Sequence, residues 1–266
     1  MRQRSLVIAV GLILVGAMPA LAEDDARWLS LSTSVNYSVG DYGTGKDTTI
    51  VYVPFTLGVR PLDRLWLSAT VPFIYQDTQN VIITGGGVAV RKKEKGKLAL
   101  PARPTTEEGV GDVLLKVSYT ILEEKALIPE IAPYVKIKFP TADANRGLGT
   151  GEYDETVGVD VSKRLIDGLF GYLSVSYTFI GSPPGSDLRN SFGWSLGPAY
   201  ALGPVSVFGF LEGATAVAPG QEDPLEVRVG AEYSLLPALK LTGAVTRGLS
   251  KGSADWGVSA GLALRF

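Results

Sequence analysis

The sequence predicts an all-β protein: a transmembrane, antiparallel, up-and-down β-barrel of about 12 strands that occupies residues 23–266. The first observation is that residues 255–266 alternate apolar with small or polar side chains and end on Phe266. Because strand side chains point to opposite faces in turn, one face suits lipid and the other a wet lumen. The second observation is that this alternation recurs in about eleven earlier segments. The third is that short and long connections alternate along the chain.

The first 22 residues are predicted to be a cleaved signal peptide. Arg2 and Arg4 precede an apolar run at 6–17, and Ala-Leu-Ala at 20–22 is typical of a cleavage site. The apolar run is too short for a membrane-spanning helix, and no later segment reaches the roughly 18 to 20 apolar residues that such a helix needs. We therefore expect export to the bacterial outer membrane.

The composition excludes several kinds of chemistry. The 266 residues include no cysteine and no histidine, and the formal net charge is -2. Thiol nucleophiles, thiolate metal sites and histidine-dependent catalysis are therefore excluded, and we expect neither an enzyme nor a cofactor or metal. No polybasic face indicates a nucleic-acid partner.

The first two predicted strands precede a tight reversal at 61–64, and the third follows it. The first runs from about 28 to 38 and is followed by turn-rich residues 40–47. The predicted outward residues of the three strands are Leu29, Leu31, Val35 and Tyr37; Val51, Val53, Phe55, Leu57 and Val59; and Leu65, Leu67, Ala69, Val71, Phe73 and Tyr75. The second and third strands therefore form a hairpin.

Residues 76–110 form the longest predicted connection, with a β-prone stretch at 81–84 and a basic run at 91–97. A connection of this length is usually functional or mobile. The three strands that follow lie near 112–121, 131–139 and 157–162, and their polar face carries charges. The last six strands lie near 173–179, 192–200, 205–212, 225–234, 239–246 and 255–266. Strands of this length suit a bilayer.

The connections predict the orientation of the barrel. Short ones lie near 61–64, 166–168, 202–204 and 235–237, with 122–129 somewhat longer, and long polar ones near 39–47, 76–110, 140–154, 181–189, 214–223 and 249–254. Short turns belong on the periplasmic side of such barrels, so we expect both termini there and the long loops outside. A secreted β-sandwich is the alternative, but its water-exposed face would carry more charge than the Ser, Gly and Ala found here.

The predicted lumen carries charged side chains of both signs. They are Arg60, Asp112, Lys116, Lys136, Lys138, Asp160, Arg164, Glu212, Glu226, Arg228, Glu232 and Lys240. Either these charges pair and stabilise a narrow barrel, or some of them select the solute. Inward-facing aromatic residues are Tyr52, Trp66, Tyr134, Tyr172, Phe208 and Phe210. They suit an apolar or aromatic solute, and filling of space is the simpler alternative.

Three local signals do not indicate a site by themselves. Gly147, Gly149 and Gly151 resemble a phosphate-binding loop, but no helix follows them and turn glycines are expected instead. The acidic residues around them match no calcium-loop spacing, so we expect solvated loop carboxylates at Asp143, Glu152, Asp154 and Glu155. The basic run at 91–97 suits contact with anionic lipopolysaccharide or simply keeps a loop soluble.

Three short stretches resemble a known family. Residues 109–113, 138–142 and 148–154 read GVGDV, KFPTA and LGTGEYD. They resemble the outer-membrane transporter-like family named for the meta-pathway of phenol degradation, in which glycine usually stands at the position of Ala142. The resemblance implies a barrel of about this size that passes small hydrophobic or aromatic compounds, and it implies no catalytic residues.

The sequence as a whole predicts a passive outer-membrane channel for small hydrophobic or aromatic compounds, with membrane lipid, lipopolysaccharide and a small solute as partners. The alternative is a structural or adhesion barrel, plugged by its own charges, that acts through its extracellular loops. The residues expected to set selectivity are Asp112 and Lys116 on one strand and Lys136 and Lys138 on the next.

Overall fold

The computed structural model describes residues 28–42, 47–77, 81–84, 87–90, 106–184 and 186–266, and within them it is built from β-strands and one turn of 3-10 helix, Ala144–Arg146. None of the helical segments in these ranges is long and apolar enough to cross a membrane. The predicted signal peptide at 1–22 and the basic run at 91–97 lie outside the described residues, so both remain predictions.

The strands follow one another in chain order. They are β1 (Leu29–Gly40), β2 (Thr48–Leu62), β3 (Leu65–Gln76), β4 (Val81–Thr84), β5 (Gly87–Val90), β6 (Glu107–Val110), β7 (Val113–Tyr119), β8 (Glu130–Phe139), β9 (Asp154–Ile166), β10 (Leu169–Ile180), β11 (Ser191–Leu202), β12 (Val205–Ala214), β13 (Leu225–Leu236), β14 (Leu239–Gly248) and β15 (Trp256–Arg265).

These strands form a closed antiparallel barrel. Each strand pairs with the next around the ring, and β15 pairs with β1 along its length, from Ser30↔Arg265 to Val39↔Trp256. Strands β6 and β7 both pair with β3 and together make one position of the ring. With the β4–β5 hairpin set aside as a separate sheet, the ring has twelve strands, as the sequence predicts.

The region 76–110 is more regular than predicted. Strand β3 extends through Gln76, and Glu107–Val110 pairs with it as β6. The prediction that the connection spans all of residues 76–110 was therefore wrong at both ends. The physical reason is that the backbone of β3 needs hydrogen-bond partners up to its end. This requirement does not depend on the side chains of the strand that supplies them. The stretch Val81–Thr84 does form a strand, paired with Gly87–Val90.

The barrel has two unlike ends. At the short-turn end lie the reversals at 63–64, 167–168, 203–204 and 237–238, the segment 120–129, and both ends of the barrel chain, where the Phe266 N–H donates to the Leu29 carbonyl (2.9 Å). At the long-loop end lie residues 41–42 and 47, and the connecting residues 140–153, 181–184, 186–190, 215–224 and 249–255.

The apolar face of the sheet points outward. Large apolar side chains in the middle of the strands are exposed, such as Phe55 (55%), Val229 (53%) and Val245 (58%). A sandwich would bury this face in its core, so the closed barrel rules out the sandwich alternative. Outward aromatic side chains lie towards the short-turn end at Tyr119, Tyr200, Tyr233 and Phe266, and towards the long-loop end at Phe73, Tyr177, Phe179, Phe192 and Trp256. This distribution is typical of a membrane-spanning barrel with an aromatic girdle at each interface.

The outward face predicts that the cost of a charged side chain depends on its depth in the bilayer. We expect Val229→Arg, in the middle of β13, to lower the free energy of unfolding in lipid bilayers by about 2–4 kcal/mol, because a charge there faces hydrocarbon. The control is Leu236→Arg at the end of the same strand, where the cost falls to about 0–1 kcal/mol. Denaturant titration of the refolded protein in liposomes measures both. Equal values for the two variants would contradict a lipid-facing surface.

Candidate functional site: the barrel lumen

On the β14, β15 and β1 side of the ring, the inward side chains are partly exposed along most of the strand length and become buried towards the long-loop end. On β1, the inward residues Ser32, Ser34 and Asn36 are partly exposed, whereas Ser38 is 0% exposed. Inward residues near the long loops are buried around the ring, and on β10, β11 and β12 inward residues nearer the short-turn end, such as Tyr172, Ala199 and Phe208, are buried as well. We call the buried inward residues near the long loops the buried layer: Ser38, Ile50, Gln76, Asp154, Thr178, Ser191, Ala214 and Glu226.

One side of the lumen is lined by small side chains. Strands β14, β15 and β1 lie next to one another. Their partly exposed inward residues are Thr242, Ala244 and Thr246; Ser259, Gly261 and Ala263; and Ser32, Ser34 and Asn36. A ring of twelve strands about 4.8 Å apart, tilted by about 40°, is about 24 Å across between backbones. The small side chains on this side fill little of that width.

Lys138 stands at the centre of a buried ion cluster. Its Nζ donates to Asp112 Oδ2 (2.7 Å), Thr150 Oγ1 (3.0 Å) and the Glu152 carbonyl (2.9 Å), and lies 3.3 Å from Asp154 Oδ2. Lys138 is 3% exposed and Asp154 is 1% exposed. The prediction that Asp154 is a solvated loop carboxylate was wrong, because Asp154 begins β9 directly opposite Lys138.

Backbone donors complete this cluster. The Ala142 N–H donates to Asp112 Oδ1 (2.9 Å), and the Gly181 N–H donates to Asp154 Oδ1 (2.9 Å). Two carboxylates and one ammonium group therefore share a site in which backbone dipoles help to balance the charge. The partners of Lys138 in the segment 140–153 show that this cluster fixes a loop as well as the barrel wall.

The other predicted lumen charges lie in separate pairs. Lys116 Nζ donates to Asp160 Oδ2 (3.0 Å) and lies 3.9 Å from the centroid of the Tyr134 ring. Asp160 also accepts from Ser174 Oγ (2.7 Å). Lys136 lies beside Lys116 in the β7–β8 register. This group is in the accessible part of the lumen, with Lys116 and Asp160 both partly exposed.

Two further pairs lie on the opposite side of the ring. Arg228 donates to Glu212, which is buried and lies opposite Glu226 in the β12–β13 register. Lys240 Nζ donates to Glu232 Oε1 (2.7 Å) nearer the short-turn end. On β2, the Arg60 guanidinium lies 6.0 Å from the centroid of Trp66. The predicted charges thus lie in separate groups at different heights and not in one ring.

Aromatic side chains form a cluster on the bulky wall. Phe170 and Tyr172 on β10 meet Phe208 and Phe210 on β12, with ring centroids 6.1 Å apart for Tyr172–Phe210 and 5.8 Å for Phe208–Phe210. The strand between them, β11, carries only Gly197 and Ala199 at this height, so rings from both sides meet across it. We call Phe170, Tyr172, Phe208 and Phe210 the aromatic cluster.

Phe170 was not among the predicted inward aromatic residues. Phe170 lies two residues before Tyr172 and so shares its inward face, which was the signal available. The guanidinium of Arg164 lies 5.4 Å from the Phe170 centroid. Of the other predicted aromatic residues, Tyr52 belongs to a different apolar cluster near the long-loop end, and Tyr134 covers Gly158, where a Cβ would lie 2.4 Å from the ring.

Tyr42 and Glu124, which lie outside the strands in the described part of the chain, have shifted pKa values. Burial raises the pKa of Tyr42, whose hydroxyl lies 2.9 Å from Ser38 Oγ, and the nearby carboxylates Glu226 and Asp255 raise it further. At the short-turn end, burial alone would raise the pKa of Glu124, but Lys163 Nζ and the Arg164 N–H both donate to it and lower its pKa overall.

The glycines at 147 and 151 act as turn residues, both with left-handed backbone (φ 75° and 77°). Gly147 ends the 3-10 turn and its N–H donates to the Ala144 carbonyl. Within the described ranges, no three acidic side chains are grouped so that they would hold a metal ion.

The ion cluster generates a prediction about stability. Lys138→Met leaves Asp112 and Asp154 buried without their cation, so we expect the free energy of unfolding to fall by about 3–5 kcal/mol. Lys116→Met is the matched control, because its pair with Asp160 is partly exposed and is expected to contribute about 1 kcal/mol or less. Urea titration in liposomes measures both variants. Similar losses would mean that Lys138 has no special role.

Solved structures with this fold include outer-membrane proteins. An outer membrane channel from Pseudomonas putida F1 superposes with a TM-score of 0.68 at 15% identity, over 90% of this chain and 96% of that one. The KdgM porin in complex with disordered oligogalacturonate gives a TM-score of 0.56 at 11% identity, over 89% and 99%. The NanC porin gives 0.56 at 11% identity, over 89% and 100%. At such identities the likeness shows the fold alone.

Sequence comparison identifies the family. No curated protein matches the chain. A family model does match it, over residues 48–266, which include strands β2 to β15, the ion pairs and the aromatic cluster. This match confirms the resemblance carried by residues 109–113, 138–142 and 148–154. The chain belongs to the family described as the MetA-pathway of phenol degradation.

Proposed function

We propose that this protein is a passive outer-membrane channel for small hydrophobic or aromatic compounds. The observation that carries the proposal is the aromatic cluster inside a closed barrel whose outer face is apolar. A soluble protein would not expose that outer face to water, so the barrel belongs in a membrane. The proposal involves no chemical step, and its residues act by contact alone.

The side chains that line the lumen support the proposal of an aromatic solute. A small aromatic compound can stack on the partly exposed ring of Phe210, which packs on the buried Tyr172 and Phe208, with a gain of about 0.5–1.5 kcal/mol for each ring contact. Contacts this weak allow the solute to leave again, as passage through a channel requires. The family is described by the degradation of phenol, which is a small aromatic compound of this kind.

The orientation forms part of the proposal. Both ends of the barrel chain lie at the short-turn end, and in barrels of this kind short turns face the periplasm. The proposal therefore includes a cleaved signal peptide at 1–22, periplasmic termini, and long loops that meet lipopolysaccharide. The charge pairs Lys116–Asp160 and Glu232–Lys240 lie where a solute would pass and are proposed to tune selectivity.

The buried layer is the one observation that favours the plugged, structural alternative, because it narrows the long-loop end. The accessible lumen below it favours passage, since a purely structural barrel has no need for an aromatic cluster beside a wall of small residues. The two functions differ in one measurable property, which is solute entry.

Solute entry into proteoliposomes tests the proposal. We expect phenol to enter liposomes that contain the refolded protein faster than empty liposomes, and faster than a sugar of similar size enters. Equal acceleration of both solutes would indicate a general pore. No acceleration of either solute would overturn the channel proposal in favour of the structural alternative.

The aromatic cluster generates a prediction about flux. We expect Phe208→Ala and Phe210→Ala to weaken phenol binding about two- to tenfold per ring and to reduce the phenol flux measured at low phenol concentration. Phe192→Ala is the matched control, because its ring is exposed on the outer face. A rise in both sugar and phenol flux in the lumen variants would instead mean that these rings only fill space.

A further inference from the structure

The loop between β8 and β9, residues 140–153, enters the mouth of the barrel with its tip buried. Gly147, Leu148, Gly149 and Thr150 are buried, whereas residues on both sides of this tip are exposed. Leu148 is 2% exposed, whereas connecting loops usually run over the protein surface. The tip therefore points into the barrel.

Leu148 reaches side chains on distant strands. It forms one buried apolar cluster with Tyr42, Ile50, Tyr52, Ile74 and Ala254. We call this cluster the apolar socket. Ile50 and Tyr52 lie on β2 and Ile74 on β3, whereas the loop starts from β8. In the ring, β7 and β3 separate β8 from β2, so the loop extends across part of the lumen to reach the socket.

Many contacts fix the loop in this position. Arg146 Nε donates to Glu107 Oε2 (2.7 Å), and Gln76 Nε2 donates to the Gly147 carbonyl (3.1 Å). Thr141 Oγ1 accepts from the Val113 N–H (2.9 Å). The loop thus has anchors on the β3, β6 and β7 side of the barrel, in addition to the Lys138 ion cluster at its base.

The fit of the tip is close. At Gly149, a Cβ would lie 2.5 Å from Asp112 Oδ2 and 2.9 Å from the Ala142 Cβ. At Gly109 on β6, a Cβ would lie 2.8 Å from Leu148 Cδ1. Both glycines allow an approach that any larger residue would prevent. A loop held by ion pairs, hydrogen bonds and close packing is a fixed constriction and not a mobile flap.

We propose that the β8–β9 loop is the filter of the long-loop mouth and that Leu148 is its specificity-determining residue. This inference rests on the proposed channel function and adds the element that sets its preference. A sugar loses more hydration than a small aromatic compound does when it passes side chains that offer no hydrogen bonds, such as those of Leu148, Ile50 and Ile74. The apolar socket and Leu148 therefore disfavour hydrophilic solutes at the long-loop mouth.

Substitution of Leu148 tests the filter. In liposomes that contain the full chain, Leu148→Ala is expected to raise sugar entry several-fold and so to lower the ratio of phenol entry to sugar entry. Leu148→Val removes less of the side chain and is expected to give an intermediate ratio, and Leu148→Met is expected to keep the wild-type ratio. Heat-modifiable electrophoretic mobility shows whether each variant forms a folded barrel.

The matched control is Leu188→Ala. Leu188 packs on Ile180, Val217 and Ala218 at the same end of the barrel but outside the apolar socket. The wild-type ratio is expected for this variant. If Leu188→Ala lowers the ratio as much as Leu148→Ala does, or if folded Leu148→Ala keeps the wild-type ratio, the filter proposal is overturned.

Ion conductance in planar bilayers separates this inference from the proposed function. Leu148→Ala is expected to raise the conductance, and Leu188→Ala to leave it unchanged, whatever solute the channel carries. If wild-type protein admits no phenol but Leu148→Ala raises conductance and sugar entry, the aromatic preference fails and the constriction at Leu148 stands. If neither conductance nor sugar entry rises in Leu148→Ala, the constriction fails.

Discussion

Closure of the sheet is the constraint on which the rest of this structure depends. Within a bilayer, every backbone N–H and C=O must find its partner inside the protein, because lipid offers none. Pairing of β1 with β15 removes the last free edge, and the exchange of backbone hydrogen bonds between Leu29 and Phe266 completes it at the short-turn end. The same requirement explains β6, whose sequence Glu-Glu-Gly-Val has little apolar character but supplies partners to the end of β3.

Closure also decides what the side chains can do. Each strand presents one face to lipid, and Lys138, Lys116 and Arg228 lie on the other face and pair there. The lumen is divided by height and by side. Small residues line β14, β15 and β1, aromatic rings face them from β10 and β12, and the β8–β9 loop narrows the mouth above. A selective passage needs each of these parts: room, weak apolar contacts and a constriction.

The period of two along the sequence was sufficient to predict the strands, their number and their two faces, because that signal is local. The ion cluster, the apolar socket and the aromatic cluster depend on contacts between residues that are distant in the sequence. Nothing beside Asp154 in the sequence indicates that Lys138 neutralises it, and nothing near Leu148 indicates a socket made by β2 and β3. The aromatic cluster could not be predicted without the β10–β11–β12 register, because Gly197 and Ala199 leave the space in which the rings meet.

The central claim is that a water-accessible lumen lies inside a lipid-embedded barrel, and thiol accessibility along β14 tests it most directly. The chain has no cysteine, so each single variant carries one reactive group. In proteoliposomes, we expect a small hydrophilic thiol reagent to modify Thr242→Cys, Ala244→Cys and Thr246→Cys, which face the lumen, and to leave Leu241→Cys and Val245→Cys unmodified in lipid. Protection of all five positions, or modification without alternation, would contradict the account.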